Sequence, residues 1–309
     1  MKDLYPSRRR PAPEWLERRD PVLRGLPGAS PPIDPALIEG YARDGFAVLE
    51  GVFSPLEIRD WLNAAKALRT QSGLIPESRV SEPGAEGAEA VRSVFAPHQQ
   101  SKIFARLAAD ARLAGLARYI LGGDVYIHQS RINYKPAFRG RDFYWHSDFE
   151  TWHTEDGMPR MRAVSMSVML TDNHPQSGPT MFIPGSHETF VACVGKTPDD
   201  HYRQSLRKQE TGTPDTDSLT RLVQKGGIAA PAPKAGSVVI FDCNTMHGSS
   251  SNITPFERIN AFFVFNAWDN QLADPFGGTR PRPEFVARRN PEGPIRPVRL
   301  PPPFPPGGR

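Results

Sequence analysis

The sequence predicts a mainly β protein with flanking helices, its core a jelly roll or a related β-barrel. Three observations carry that expectation. From Asp124 onward the apolar pattern takes a period of two through six short segments, the alternation of strands with one buried face. Turn residues separate those segments, as in sheets folded into barrels. Before Asp124 the period is helical, with Pro, Ser and Gly at the ends of the periodic runs.

Residues 1–33 are rich in proline and arginine and are expected to lie over the surface as an extended arm. The run PALIEGYARDGFAVLEGVFSPLEIRDWLNAAKALRT, residues 35–70, reads as helix, short strand, helix. Ser54 is placed to cap the second helix, with Pro55 at its first position. Ile58, Trp61, Leu62, Ala65 and Leu68 then recur at helical spacing. Residues 72–91 hold Gly, Pro and Glu and read as an exposed loop. SKIFARLAADARLAGLARYILGG reads as one or two helices closed by Gly122 and Gly123.

The strand segments follow: VYIHQSRINYK, FYWHSDF, MRAVSMSVMLTD, GPTMFIPG, GSVVIFDC and ERINAFFVFNAW. Between Glu188 and Gly227 lies a polar stretch of about forty residues, a length typical of lids and binding loops. After Asn270 come eleven prolines in thirty-nine residues, ending PPPFPPGGR. That composition predicts an extended or flexible tail.

The 309 residues are 38% hydrophobic, enough for a substantial core. No apolar run reaches the ~18 residues of a membrane span. The N-terminus lacks the apolar centre of a secretory signal. Only Cys193 and Cys243 are present, which gives no disulfide framework and fits a cytoplasmic setting. The formal charge is +4 with scattered basic residues, so no nucleic-acid surface is expected. The sequence leaves the oligomeric state open, a homodimer included.

His146 and Asp148 are two apart in a strand-like run, so an imidazole and a carboxylate share one face. His247 follows the strand GSVVIFDC and its turn. Two histidines and a carboxylate on separate strands form the facial set of non-haem Fe(II) oxygenases, although zinc hydrolases use the same ligand types. Arg258 opens the next strand, sharing a face with Asn260, Phe262 and Val264. A guanidinium can grip the far carboxylate of a 2-oxo acid through two parallel hydrogen bonds; pairing with Asp242 or Glu257 is the alternative. Gln129, Arg131 and Asn133 share a face that would be costly to bury unless it binds something. The other reading turns Tyr126, His128 and Ile132 inward. Ala163, Ser165 and Ser167 form a small-residue face that leaves room for a ligand, or for the close approach of two sheets.

The run FYWHSDFETWHTEDGMP, Phe143–Pro159, resembles the segment that marks ectoine hydroxylases within the phytanoyl-CoA dioxygenase superfamily. DLYPSR, DGFAVLEGVFS, RSVFAPH, GPTMFIPGSH and the His247–Arg258 pair fit as well, over roughly residues 1–285. The resemblance implies a double-stranded β-helix (jelly roll, cupin-like) core at about 124–268, in one dioxygenase domain spanning 34–270. A proline-rich tail, 271–309, looks longer than the family's. It implies Fe(II), 2-oxoglutarate and O2, and hydroxylation of ectoine to 5-hydroxyectoine with release of succinate and CO2. Carried over residue by residue, His146, Asp148 and His247 are the catalytic iron ligands. Arg258, Asn133, Ser165 and Ser249 hold 2-oxoglutarate. Gln129, Trp152, Phe95, Phe241, Asn260 and Phe262 form the ectoine pocket. Aromatic faces suit a small zwitterion with a delocalised cation. Asp148 argues against halogenation, which needs that position free for chloride.

His153, His174, His187 and His201 are read as surface or hydrogen-bonded residues. Glu150, Glu155 and Asp156 are expected to pair with arginines such as Arg160 or Arg162, or to cap a turn. Cys243 reads as a small core residue. Two rival functions remain: a related hydroxylase of another small molecule, and a non-catalytic metal-binding barrel.

Overall fold

The computed structural model describes residues 2–70, 75–81, 90–198 and 211–299. Helix α1 (Pro35–Asp44), strand β2 (Phe46–Leu49) and helix α2 (Pro55–Thr70) follow β1 (Glu14–Glu17), a strand within the N-terminal arm. Ser54 and Glu57 form the reciprocal cap at the start of α2. Glu57 accepts from the Ser54 backbone at 2.8 Å while its own amide approaches the Ser54 hydroxyl. After β3 (Arg79–Ser81) and β4 (Val91–Phe95) come α3 (Pro97–Gln100), α4 (Lys102–Ala108) and α5 (Leu116–Leu121). Gly122 ends α5 at φ 73°, left-handed geometry that glycine tolerates.

The rest is sheet: β5 (Val125–Lys135), β6 (Phe143–His146), a short helix α6 (Asp148–Thr151), β7 (Ala163–Met169), β8 (Thr180–Phe182) and β9 (Thr189–Ala192). Helix α7 (Thr216–Gly226) precedes β10 (Val238–Asp242), β11 (His247–Ser249) and β12 (Arg258–Ala267). A seven-stranded sheet runs β2-β10-β7-β12-β5-β4-β3, a three-stranded sheet runs β6-β11-β8, and β1 pairs with β9. One face of the large sheet packs on the helices through Val164, Met166, Val168, Ile259, Ala261 and Phe263. Its other face carries Ser165, Ser167, Arg258, Asn260 and Phe262, the alternation read from the sequence. The fold is the expected double-stranded β-helix with flanking helices.

Several expectations are corrected. The segment read as an exposed loop contains β3 and leads directly into β4; residues 71–74 and 82–89 lie outside the described residues. The arm is not confined to the surface. Tyr5 is fully buried, its hydroxyl bonded to Asp20, and β1 pairs with β9. The polar stretch after Glu188 holds β9 and α7, and its middle, 199–210, is outside the described residues. The proline-rich segment is extended but anchored as far as Val298, whose amide donates to the Ala109 carbonyl. Val286 and Ala287 are buried within it. Among the described residues no helix is long and apolar enough to cross a membrane.

Candidate metal centre and substrate pocket

His146 ends β6 and His247 starts β11, and the two are direct partners in the antiparallel register. Asp148 does not lie on the strand as the two-residue spacing predicts. The strand stops at His146, Ser147 stays extended, and Asp148 is the first residue of α6. The single extended residue still brings the carboxylate round to the imidazoles. Asp148 lies 3.6 Å from His146 Nε2 and 3.8 Å from His247 Nε2. One nitrogen of each ring and one carboxylate oxygen fall within 4.8 Å of one another, a group that could hold a metal ion.

The imidazoles are pre-set. His146 Nδ1 bonds the Tyr144 carbonyl at 2.7 Å and His247 Nδ1 the Thr245 carbonyl at 3.0 Å. A carbonyl only accepts, so each Nδ1 carries the proton and each Nε2 presents its lone pair to the centre. Burial, with His146 alongside, pushes the His247 pKa down to about 4, so it stays neutral. Burial alone would raise the Asp148 pKa, but the His247 and His146 rings hold it well below the usual carboxylate range. Two imidazoles with Nε2 turned to the centre and one carboxylate are the donor set that suits a divalent non-haem iron.

Behind the triad opens a cavity lined by Arg131, Asn133, Phe143, Ser249, Arg258 and Phe262. Arg258 donates to the Gly178 carbonyl at 2.6 Å and reaches Asn133 Oδ1 at 3.5 Å, while its Nε has no partner. Its alternative acids are taken: Asp242 pairs with Arg18 and Glu257 with Arg69. Lys135, the last residue of β5, donates to Ser249 Oγ at 2.9 Å and to the Gly178 carbonyl. No ion pair with a carboxylate forms at Arg258, Lys135 or Arg131 among the described residues. Burial, then the neighbouring Arg258 and Arg92, lower the Lys135 pKa to about 6. Burial, then Arg131 and Arg92, lower Arg258 to about 9. Ser165 Oγ, Ser167 Oγ and both polar atoms of Asn260 are buried without partners. Orphaned polar atoms beside an Arg258 that meets no carboxylate together describe a hole shaped for an anionic ligand.

The pocket residues divide into two groups. Asn133, Ser249, Arg258 and Phe262 line the cavity with the triad histidines. Phe95, Asn260, Ser165 and Phe241 adjoin it: Phe95 is opposite Arg131, Asn260 opposite Asn133, Ser165 opposite Phe241. The Phe241 ring lies 4.9 Å from that of His247. Gln129 faces the same interior opposite Val264, but its amide donates to the Val286 carbonyl at 2.8 Å. Trp152 sits further round, in a wide turn of Trp152–Asp156, with its ring 5.1 Å from His128 and packed in a cluster with Val264.

A register shift in the β5–β12 pair, where Gln129 faces Val264 but Ile127 faces Phe265, changes the parity of β5. Gln129, Arg131 and Asn133 therefore point inward as one reading held, and His128 also reaches the interior, against Trp152. Ile132 points to the helices, against the other reading. Lys135 was missed, although the alternation 129, 131, 133 runs on to it. Arg131 was named on the face without a role; its guanidinium lies 4.9 Å over the Phe262 ring. The acids after the triad do pair with arginines, but Arg160 binds Asp20 and Arg162 binds Asp269. Glu150 and Glu155 instead meet Arg8, and Asp156 meets Arg282 and His128. His153 and His187 are buried and hydrogen-bonded, Cys243 is buried in the core, and His201 is outside the described residues.

Comparison with known proteins places these features in context. The family model for phytanoyl-CoA dioxygenase (PhyH) matches residues 41–260. A protein of Sphingopyxis alaskensis named ectoine dioxygenase is 54% identical over 302 residues, covering 97% of this chain and 98% of the relative. The proline-rich segment is therefore for the most part shared with that relative rather than an addition. The crystal structure of EctD from S. alaskensis with 2-oxoglutarate and 5-hydroxyectoine superposes with a TM-score of 0.88 at 50% identity. It spans 97% of this chain and 99% of that one. The same protein with bound Fe gives a TM-score of 0.86 at 48% identity, with the same coverage.

Proposed function

This chain belongs to the phytanoyl-CoA dioxygenase family, and on that premise we propose that it hydroxylates ectoine to 5-hydroxyectoine. Fe(II), 2-oxoglutarate and O2 are consumed or used in the reaction, and succinate and CO2 leave with the product. The observation that carries this reading is the His146–Asp148–His247 group, both histidines buried, opening on a cavity where Arg258 meets a carbonyl and an amide but no carboxylate. Relatives covering nearly the whole chain carry the ectoine activity in their names.

Iron held by the triad supplies the oxidising chemistry when bound. The chain's own side chains set what that chemistry meets. Arg258 and Lys135, with Asn133 and Ser249 beside them, neutralise and orient the far carboxylate of 2-oxoglutarate. Ser165 offers a further hydroxyl from the facing strand. Phe241, Phe262 and Phe95 give the pocket apolar walls that keep water from the reacting centre. With Trp152 they offer ring faces to the delocalised cation of ectoine. Gln129 and Asn260 supply directional polar contacts. The two buried free thiols support a reducing, cytoplasmic location.

The test is incubation of the purified protein with Fe(II), 2-oxoglutarate and ectoine, read by product mass. Gain of one oxygen by ectoine supports the reading. Succinate release only with another small molecule moves the activity to a related hydroxylation. Bound iron with no turnover leaves a metal-binding barrel.

A further inference from the structure

The segment that follows the first two metal ligands is gripped by a residue far outside the sheet core. Arg8, in the N-terminal arm, is buried. Its Nε and Nη2 donate to the two Glu150 oxygens at 3.0 and 2.6 Å, and its Nη1 donates to Glu155 Oε1 at 2.7 Å. The two acids stand five apart, and the wide turn of Trp152–Asp156 brings both to one guanidinium. Ser7 Oγ adds a bond to Glu150 at 2.6 Å, and Thr197 Oγ1 accepts from Arg8 Nη1 at 2.6 Å. Gly212 closes the other side so tightly that a Cβ there would fall 2.2 Å from Arg8 Nη2. Arg8 itself holds a left-handed backbone, φ 58°. For a bulky residue that conformation is strained, and it persists only where the surroundings over-determine it.

What the grip immobilises is informative. Asp148 opens the helix to which Glu150 belongs, and Trp152 lies between Glu150 and Glu155. Three buried carboxylates in α6 and the turn after it would repel one another without cations from elsewhere in the chain. Asp156 has Arg282; Glu150 and Glu155 share Arg8. We propose that Arg8 is a positioning residue for the hydroxylation, fixing through Glu150 and Glu155 the turn that aims Asp148 and Trp152. The inference rests on the function proposed above, and it makes the N-terminal arm part of the active-site scaffold.

Arg8→Lys keeps a charge but cannot span both acids in fork geometry. Compared with wild type, we expect ectoine kcat/KM to fall by about tenfold or more, the scale of a slight misplacement of reacting groups. The succinate-to-hydroxyectoine ratio should rise above one, and Fe(II) affinity, titrated without cosubstrates, should weaken. The 2-oxoglutarate KM should stay within about threefold, because Arg258 and Lys135 lie on other strands. A merely structural Arg8 would lower the melting temperature and leave both the ratio and the iron affinity at wild-type values; that result overturns the proposal. If Arg8→Lys does not fold, Glu155→Gln, which keeps the Glu150 pair, is read by the same ratio and iron titration, with unchanged values again overturning it. Failure of wild type itself to hydroxylate ectoine would instead sink the function, and the iron titration would still decide the role of Arg8.

Discussion

His146 and His247 face each other across the β6–β11 pair, their ring centroids 4.3 Å apart, each tied through Nδ1 to the carbonyl two residues earlier. The repeat of one local device on two strands fixes both tautomers before any metal arrives. Asp148 completes the set from a different element. Among the described residues no further His, Cys, Asp or Glu joins the group. Asp148→Ala and His146→Ala are each expected to lose iron and all turnover, since two remaining ligands hold Fe(II) too weakly. Metal analysis of the purified variants checks this; near-normal iron and turnover in either one removes the triad assignment.

Arg258 is the second point of test. Its guanidinium is held by Gly178 on one side and is open on the other. Arg258→Lys preserves charge and loses the two-point fork. The 2-oxoglutarate KM should rise roughly 10- to 100-fold, the value of one charge-assisted hydrogen bond. The ectoine KM should change less. A variant in which only ectoine binding weakens would move Arg258 to the substrate site.

Lys135 gives a pH signature. Its folded pKa is lowered to about 6 by burial and then by Arg258 and Arg92, so above that pH the amine is largely neutral in the ligand-free protein. The unfolded chain binds the proton up to a much higher pH, so this group makes ligand-free stability rise with pH between about 6 and the ordinary lysine value. A bound dicarboxylate restores the charged form. Binding of 2-oxoglutarate at pH 7.5 should then take up a proton, and affinity should weaken as pH rises through the liganded pKa. Calorimetry in two buffers of different ionisation enthalpy measures the uptake; none at pH 7.5 would count against Lys135 as the carboxylate partner.

Much of this arrangement was legible in the residues. Period-two runs located β5, β7, β10 and β12 closely, because each has one face on the helices and one on the barrel interior. The Ser54–Pro55 start of α2 was legible because its cap is local. What failed was non-local. The β5 register shift at Gln129 cannot be seen in an alternation count, yet it lets His128 and Gln129 both face inward. Arg8 lies in the arm expected over the surface, and its burial was illegible because its acidic partners lie more than 140 residues away. The proline-rich segment looked unable to pack, yet Arg282 and Val286 use single anchor points on Asp156 and Gln129 rather than a core of their own. For the acids after the triad, composition predicted arginine partners, but only the folded chain could say which.

Trp152 carries the last expectation. The chain does turn after the triad, through α6 and a wide turn, and the indole lies against His128 within the cluster that includes Val264. Val264 is next to Phe262 on the interior face of β12, so the ring backs the pocket rather than the protein surface. Removing it should leave the triad and the Arg258–Lys135 pair in place. Trp152→Ala is therefore expected to bind iron and 2-oxoglutarate and to hydroxylate ectoine poorly, roughly 100-fold less efficiently, because the substrate is no longer held in line. Slow succinate formation without matching hydroxyectoine is the signature. A Trp152 that serves packing alone would give a less stable protein, by about 3–5 kcal/mol for a buried aromatic, that still makes one succinate per hydroxyectoine. Measuring the two products side by side in folded Trp152→Ala separates these outcomes, and a ratio that stays at one would assign the indole to the core.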